Sequence, residues 1–390
     1  MEKGGAPVKI AAVIAEYNPF HTGHRYHIKQ TRQLSGADYV VAIMGSNFTQ
    51  RGEAAILEKR QRAAAALRSG VDAVVELPGL FTVRPAEVFA AAGVALAEGI
   101  GADVLSFGCE TADLGFLHAA LDAEAAAQPQ IRAALAEGQS YARARGAAVA
   151  AALGAPAEAL NQPNLALALE YLRALRTRNS PVQPLAVARQ GEYHSERMDA
   201  AYPSASALRQ AARRGADVRA FLPGLDRDAA FMNPMEALDS VFLYVLRGYA
   251  PDGLREVCDM TEGLEHRVCK LSTNCTGRMQ LLDELKCKRY TFSHLSRVLT
   301  QAVTGVTKTL ANAHPAPEYA RLLGIRSDAR PLLREMARRA ALPMISDGAQ
   351  LRGNAIFECE CRMTDLFMLL SPDPAQRRAG LEYTARFLSI

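Results

Sequence analysis

The sequence predicts an α/β protein: a Rossmann-like parallel sheet in the first half and a C-terminal, mainly helical domain after it. Three observations carry this. Short apolar runs alternate with helical patterns up to about residue 225, strand patterns become rare after Leu222-Pro223-Gly224, and a polar, glycine-containing turn joins the first apolar run to the first helical pattern. Apolar runs separated by helices point to βαβ units, whose parallel strands are buried on both faces.

Taken in order, Val8–Ala15 reads as a buried strand, followed by a helix from about His24 to Leu34. Asp38–Met44 is the second strand, Glu58–Arg68 a helix ending at Gly70, and Asp72–Leu77 the third strand, stopped by Pro78. Pro85–Glu98 has proline at its start and Gly99 at its end, the usual helix asymmetry. Asp103–Phe107 is the fourth strand, residues 116–180 look mostly helical, and Pro184–Arg189 is a candidate fifth strand. Ser204–Arg213, Met235–Arg247, Leu281–Lys288 and Phe292–Val303 read as helices. The change of pattern near Pro223–Pro234 divides the chain into a catalytic domain over 1–225 and a helical domain over 226–390. Ligands of such sheets lie beyond the carboxyl ends of the strands, so the loops after Ala15, Met44, Leu77 and Phe107 are expected to line the site.

Composition narrows the function classes. With 390 residues, 49% of them hydrophobic, the chain can bury a sizeable core and is neither disordered nor of low complexity. Forty-five Lys and Arg against 41 Asp and Glu leave +4, too little to announce a nucleic-acid binder except through a local cluster. No apolar run approaches the ~20 residues of a membrane span, and Glu16, Asn18 and His21 interrupt the one near the start, which excludes a signal peptide. The seven cysteines (Cys109, Cys258, Cys269, Cys275, Cys287, Cys359 and Cys361) contain no CxxC pair. Cys359 and Cys361 could join Cys269 and Cys275 around a metal, but buried small hydrophobes are the better reading, and no metal site is expected. Reduced thiols suit a cytoplasmic protein.

The strongest chemical signal is Glu16-Tyr17-Asn18-Pro19-Phe20-His21-Thr22-Gly23-His24, directly after the first strand and opening the first helix. A helix N-terminus offers free N–H groups and the positive end of its dipole to anions. Gly23 lets the helix start pack closely against a base or ribose, and His21 and His24 can donate to phosphate oxygens that gain charge in a transition state. This is the logic of the HxGH nucleotidyltransferases, which attack the α-phosphate of ATP and release pyrophosphate; the alternative is a polar turn with two surface histidines. Ser204-Ala205-Ser206-Ala207-Leu208-Arg209 adds small hydroxyls and an arginine at another helix start, suited to β- and γ-phosphates. Its plain alternative is a Ser N-cap. Catalytic candidates are therefore His21, His24, Ser206 and Arg209.

Other positions stay open between two readings. Gly108 ends the fourth strand, as a close backbone approach to a ligand or as a simple turn. Asn164 follows Pro163 as a ribose or base contact or as a helix cap. Arg189 is a phosphate partner or a surface arginine, and Glu110 a hydrogen-bond acceptor or a salt-bridge partner. Asn47, Gln50 and Arg51 orient a second substrate or cap the next helix. From His266 to Arg297, seven basic residues (Arg267, Lys270, Arg278, Lys286, Lys288, Arg289, Arg297) face two acids, Asp283 and Glu284, and interleave with Tyr290, Phe292 and His294. Basic residues with aromatics suit RNA phosphates and bases, while a charge run can equally be a solvated face. Arg51, Lys59, Arg60, Arg62 and Arg68 form a second basic set beside the presumed site.

Beyond these signatures, AEYNPFHTGHRYH, NFTQRGEAA at Asn47–Ala55, VELP at Val75–Pro78, FGCE at Phe107–Glu110, Pro163-Asn164, Arg189 with Tyr193-His194, and SASALR follow one another in order. EGLEHR at Glu262–Arg267, KCKRYT at Lys286–Thr291, Arg297 and ARLLG at Ala320–Gly324 complete the set. From about Ile10 to about Leu370 the chain resembles the bacterial tRNA(Met) cytidine acetate ligase family. Three positions depart from the pattern: Ser46 replaces a glycine, Leu165 the second asparagine of an Asn-Asn pair, and Cys109 a serine.

The resemblance implies a ligase. Acetate would be activated by ATP as acetyl-adenylate, and the acetyl group passed to N4 of the wobble cytidine of elongator tRNA(Met). By motif match, ATP contacts fall to Ile14, Ala15, Glu16, Tyr17, Asn18, Pro19, Phe20, His21, Thr22, Gly23, His24, Arg25, Tyr26 and His27, with Gly108, Asn164 and Arg189. Mg²⁺ is expected with ATP. RNA contacts are expected at Arg51, Lys59, Arg60, Lys286, Lys288, Arg289 and Arg297. The wobble base must leave the anticodon stack to react, so a pocket beside ATP must admit a flipped pyrimidine. No protein partner or membrane is implied. The rival reading is another HxGH adenylyltransferase, acting on a small coenzyme precursor; a third is an RNA-binding protein on the same scaffold without catalysis.

Overall fold

The computed structural model describes residues 8–139, 141–154, 162–189 and 202–390. Five parallel strands form the centre of the molecule: β1 (Ile10–Ala15), β2 (Tyr39–Gly45), β3 (Ala73–Leu77), β4 (Val104–Cys109) and β5 (Gln183–Ala188). Each expected strand is present within two residues of its expected ends. Their runs are apolar at nearly every position because helices cover both faces, and β1 to β3 are almost wholly buried. With β6 (Ala320–Ile325) and β7 (Met344–Ile345), the strand order is β5-β4-β1-β2-β3-β6-β7, and β8 (Leu388–Ser389) lies beside β6.

The strands β6 and β7 extend the expected sheet with residues from the mainly helical part. ARLLG enters the sheet antiparallel to β3, with Val74 opposite Gly324, and all six residues of β6 are buried. So short an apolar run among helices carries no period that separates strand from helix. One sheet therefore spans both sides of the expected boundary at 225/226. The rest of the stretch after residue 225 is mainly helical, as expected, with Asp239–Arg247, Leu264–Ser272, Arg278–Leu285 and Phe292–Thr304 before β6 and Arg330–Arg339 and Ala355–Met368 after it. The Arg278 helix begins three residues before Leu281 because the Asp239 carboxylate accepts the Arg278 N–H at 3.0 Å, a cap supplied from another helix.

A buried charge cluster ties the two halves together. Lys59 Nζ, fully buried, meets Glu360 at 2.5 Å and Glu382 at 2.7 Å, and also Glu76. Arg321 on β6 joins Glu76 at 3.1 Å and Glu382, and Arg60 reaches Glu382 at 3.0 Å. Three cations thus face three carboxylates. Burial pulls the Lys59 pKa down, but Glu360, Glu382 and Glu76 more than offset it and hold the amine charged. Ser46 is part of this cluster: its hydroxyl donates to Glu360 at 2.6 Å.

Candidate active site

The loops after β1, β2, β4 and β5 surround a cavity of about 1070 Å³, at the carboxyl edge where this sheet type binds ligands. The loop after Leu77, expected there too, does not line it. It turns instead into the short helix Gly79–Thr82, whose first N–H donates to Glu360 at 2.6 Å.

The helix Thr22–Ser35 opens on the cavity, and His21 is its N-cap. His21 Nδ1 accepts the Gly23 N–H at 3.0 Å, and His24 Nδ1 accepts the His21 N–H at 3.2 Å. A neutral imidazole whose Nδ1 accepts must carry its proton on Nε2, so the capping box assigns both tautomers. Burial first, then Arg189 and Arg209, lowers the His21 pKa to about 3. Burial, then His21 and Arg189, holds His24 well below its ordinary value. Both histidines of the motif are therefore neutral Nε2–H donors at pH 7, their ring centroids 3.8 Å apart.

Gly23 answers first to its own neighbour. A Cβ there would lie 2.8 Å from His21 Cε1, so glycine makes room for the His21 ring before any ligand. Tyr17 holds a left-handed backbone, φ 49°, and stands edge-on to His24 at 4.9 Å. A tyrosine in that region costs about 1–3 kcal/mol, balanced here by a ring buried between Phe20 and His24. His27 Nε2 bonds Ser106 Oγ at 3.1 Å, and burial, with Arg189, lowers it to about 4.

In the SASALR segment the N-cap reading holds for Ser204, and Ser206 lies apart from the cap. Ser204 caps the helix Ala205–Arg213, accepting the Ala207 N–H at 3.1 Å, while Ser206 is exposed on the cavity wall. Arg209 Nη1 donates to the Asn18 carbonyl at 2.7 Å, which fixes the guanidinium against the His21 turn. On the opposite wall Asn164 Nδ2 donates to Glu110 at 2.7 Å, and Arg189 Nη1 donates to Asn164 Oδ1 at 3.3 Å. Asn164 is not the cap of its helix, since Gln162 holds that position. A Cβ on Gly108 would meet only Arg189 Cγ, at 3.5 Å, so the protein itself does not demand glycine there.

Glu16, half-buried, lines the cavity, its Oε1 accepting the Gln50 N–H at 2.5 Å. Burial raises its pKa against the lowering effects of the Gln50 N–H, Arg209, Arg62 and Arg51. Within the stretch Ile14–His27, the cavity is lined by Ile14–Asn18, His21, Gly23, His24, Tyr26 and His27, while Pro19, Phe20, Thr22 and Arg25 do not reach it. Tyr193 and His194 lie outside the described residues.

The basic sets divide sharply. Lys59 and Arg60 belong to the buried charge cluster, which removes them as RNA contacts. Arg62 is fully buried and donates to the carbonyls of Glu16 (2.5 Å), Ser46 (2.8 Å) and Leu57 (3.0 Å). Arg297 is buried against Asp259 at 3.4 Å and is likewise corrected; Arg278 is buried as well. Asn47, fully buried, accepts the Lys59 N–H at 2.8 Å and touches no substrate cavity. Arg51 is exposed at the cavity wall, and Lys286, Lys288 and Arg289 are exposed on the surface.

The structure adds residues that sequence reasoning did not place. Thr291, Phe292 and Ser293 line the same cavity as His21 and Gly108, as do Tyr171 and Tyr202, whose ring lies tilted at 5.7 Å from that of Tyr26. The basic-aromatic cluster flagged Phe292, but nothing in the sequence brought it to the ATP motif. Among the described residues no group of three or more His, Cys, Asp or Glu side chains gathers as a metal site. Burial pushes the Cys359 and Cys361 thiols up to about 12.

A family model described as HIGH nucleotidyl transferase matches residues 8–381. A tRNA(Met) cytidine acetate ligase of Geobacillus sp. (strain WCH70) is 31% identical over 95% of this chain and 96% of its own length. One from Syntrophomonas wolfei is 32% identical over 96% and 98%. Crystal structures of Thermotoga maritima TmcAL, 27% identical, superpose over 98% of this chain and 100% of theirs. The TM-scores are 0.88 for the apo form and 0.86 for the form bound with alpha-thio ATP.

Proposed function

Since the chain belongs to the HIGH nucleotidyltransferases and, among them, to the tRNA(Met) cytidine acetate ligases, we propose that it is the ATP-dependent ligase that acetylates N4 of the wobble cytidine of elongator tRNA(Met). The observation that carries this reading is the pair of neutral Nε2–H donors, His21 and His24, at a helix N-terminus inside the cavity. In the first step an acetate oxygen attacks the α-phosphorus of ATP, the bond to the β-phosphate oxygen breaks, and pyrophosphate leaves. Fixed donors act on the charge that grows during this exchange and need no reorganisation. A bound polyphosphate also offsets the desolvation of the two rings and strengthens them as donors. Arg209, pinned by Asn18, and Ser206 face the departing phosphates, while Asn164 and Arg189 stand on the wall where the nucleoside is held.

Mg²⁺ is expected as the companion of ATP. The described residues present no protein-only cage for it, so the phosphates carry the ion and no step is assigned to it. In the second step the N4 amine attacks the acetyl carbon of the adenylate and AMP departs; positioning supplies most of what this step needs. No helix among the described residues is long and apolar enough to cross a membrane, and a cytoplasmic location fits both substrates. The test is acetate-dependent ATP–pyrophosphate exchange with and without methionine tRNA, followed by nucleoside analysis of that tRNA. Exchange with acetate and appearance of N4-acetylcytidine are expected. Turnover indifferent to acetate and RNA but responsive to a coenzyme precursor would replace the function and keep the fold.

A further inference from the structure

We propose that the β2 side of the cavity, between the loop Thr49–Glu53 and the turn Thr291-Phe292-Ser293, is the subsite for the unstacked acceptor pyrimidine, with Phe292 as its stacking face. The proposal rests on the acetyl-transfer reading and adds where the acceptor base sits.

The strand order divides the cavity. With β1 in the middle, the β4 and β5 loops bring Gly108 and Arg189 to one side, and the β2 loop brings Gln50, Arg51 and Glu53 to the other. The nucleotide contacts expected from sequence fall on the β4 and β5 side and on the central His21 turn. At about 1070 Å³, the space is at the upper end for a single small-molecule site, leaving the β2 side for the remaining substrates.

The aromatic rings point to the same side. Tyr17 packs on Phe20 and His24, Phe107 on Tyr171 at 5.7 Å, and Tyr26 on Tyr202 at 5.7 Å. Phe292 also lines the cavity, and among the described residues no other ring pairs with it. Its neighbour Tyr290 is occupied by a stack on His294 at 5.3 Å and by the Arg289 guanidinium at 5.5 Å.

This wall is rigid. The Gly52 carbonyl accepts from Arg278 at 3.2 Å, Ser296 at 3.1 Å and Thr300 at 2.7 Å, locking the β2 loop onto the helix that Phe292 begins. Gly52 has φ 73°, and a Cβ there would lie 2.5 Å from the Arg297 nitrogen, so loop and helix are in direct contact. Lys286, Lys288 and Arg289, exposed, lead along the chain into this wall; three residues of chain span at most about 10 Å. RNA phosphates held there would lie close to a base turned into the cavity. The transfer then balances: N4 bonds to the acetyl carbon, the acyl C–O bond to the phosphate breaks, AMP leaves with that electron pair, and N4 releases one proton to water.

The test separates the two half-reactions in full-length protein: acetate-dependent ATP–pyrophosphate exchange without RNA, and acetyl transfer to methionine tRNA. For Phe292→Ala the ratio of transfer to exchange is expected to fall about tenfold or more, in the range of a lost base–aromatic stack, and Phe292→Tyr is expected to restore it. Ser293→Leu, which leaves the core contacts of Phe292 in place, is expected to lower the same ratio by filling the subsite, and it carries the test if Phe292→Ala melts early. Equal loss of both half-reactions, or an unaltered ratio in both variants, overturns the proposal. Absence of acetate-dependent exchange in the unmodified protein instead overturns the function on which it rests.

Discussion

Two charged regions of this molecule obey opposite rules. In the cluster around Lys59 the cations Lys59, Arg60 and Arg321 face Glu76, Glu360 and Glu382, each within salt-bridge distance of a partner. In the cavity, Arg209 is bound to a backbone carbonyl and the histidines are neutral. The first region is complete without a ligand; the second is a set of donors arranged for an anion. Charge alone does not distinguish them, whereas the neighbours of each charge do.

The largest effect should come from breaking the matched side. Lys59→Met leaves three carboxylates with too little positive charge, and losing one partner of a buried network costs about 3–5 kcal/mol. Urea unfolding reads this directly. The double variant Lys59→Met/Glu360→Gln should recover part of the loss, because it removes one of the stranded charges. If Lys59→Met instead unfolds like the parent but fails to acetylate RNA, the contrast between the two regions is wrong.

Next comes the unmatched side. His24→Ala removes a donor proposed to meet developing charge, and such a loss costs about 10²–10³ in rate. Arg209→Ala removes the proposed pyrophosphate partner and also frees the Asn18 carbonyl, so an effect of similar order is expected. Both should appear in acetate-dependent pyrophosphate exchange, with little change in thermal midpoint. Full exchange activity in both variants would reject the catalytic assignment.

A smaller effect follows from the neutral rings. Folded His21 holds about 3 and His27 about 4, against an unfolded value near 6.5. Below 6.5 the unfolded chain binds protons that the folded chain refuses, so stability is complete above that pH and falls as the pH drops toward the folded values. Each such histidine contributes a slope of about 1.4 kcal/mol per pH unit in that window. Unfolding measured from pH 7 to pH 5 should show it, and His27→Asn should flatten it by about one histidine's share. An identical slope in the variant would mean that His27 titrates normally.

How far the sequence was legible follows from the same contrast. β1 to β4 were readable because a strand buried on both faces is an unbroken apolar run, β5 from its short apolar run although it is a half-buried edge strand, and the His21 turn because its motif is local. β6 was not, since its six residues owe their conformation to pairing with β3. Lys59 and Arg60 were misread because their partners Glu360 and Glu382 are some 300 residues away in sequence. The Ser46 departure was explicable only once its hydroxyl met Glu360. Phe292 was visible as an aromatic among basic residues, yet its place on the cavity wall depends on the lock between Gly52 and its helix.

The smallest expected effect lies where the sequence reading survives on exposure alone. Lys286, Lys288 and Arg289 are exposed, and the RNA contact proposed for them is with phosphate, which carries no base identity. Lys288→Ala should weaken RNA binding uniformly across sequences and reduce the salt dependence, the slope of log K against log salt, by about 1. Arg297→Lys keeps the charge, buried beside Asp259, and should leave that slope as it is. Titrations of tRNA at several salt concentrations compare the two. A reduced slope for Arg297→Lys, or none for Lys288→Ala, would mean that burial does not divide structural from RNA-binding cations in this protein.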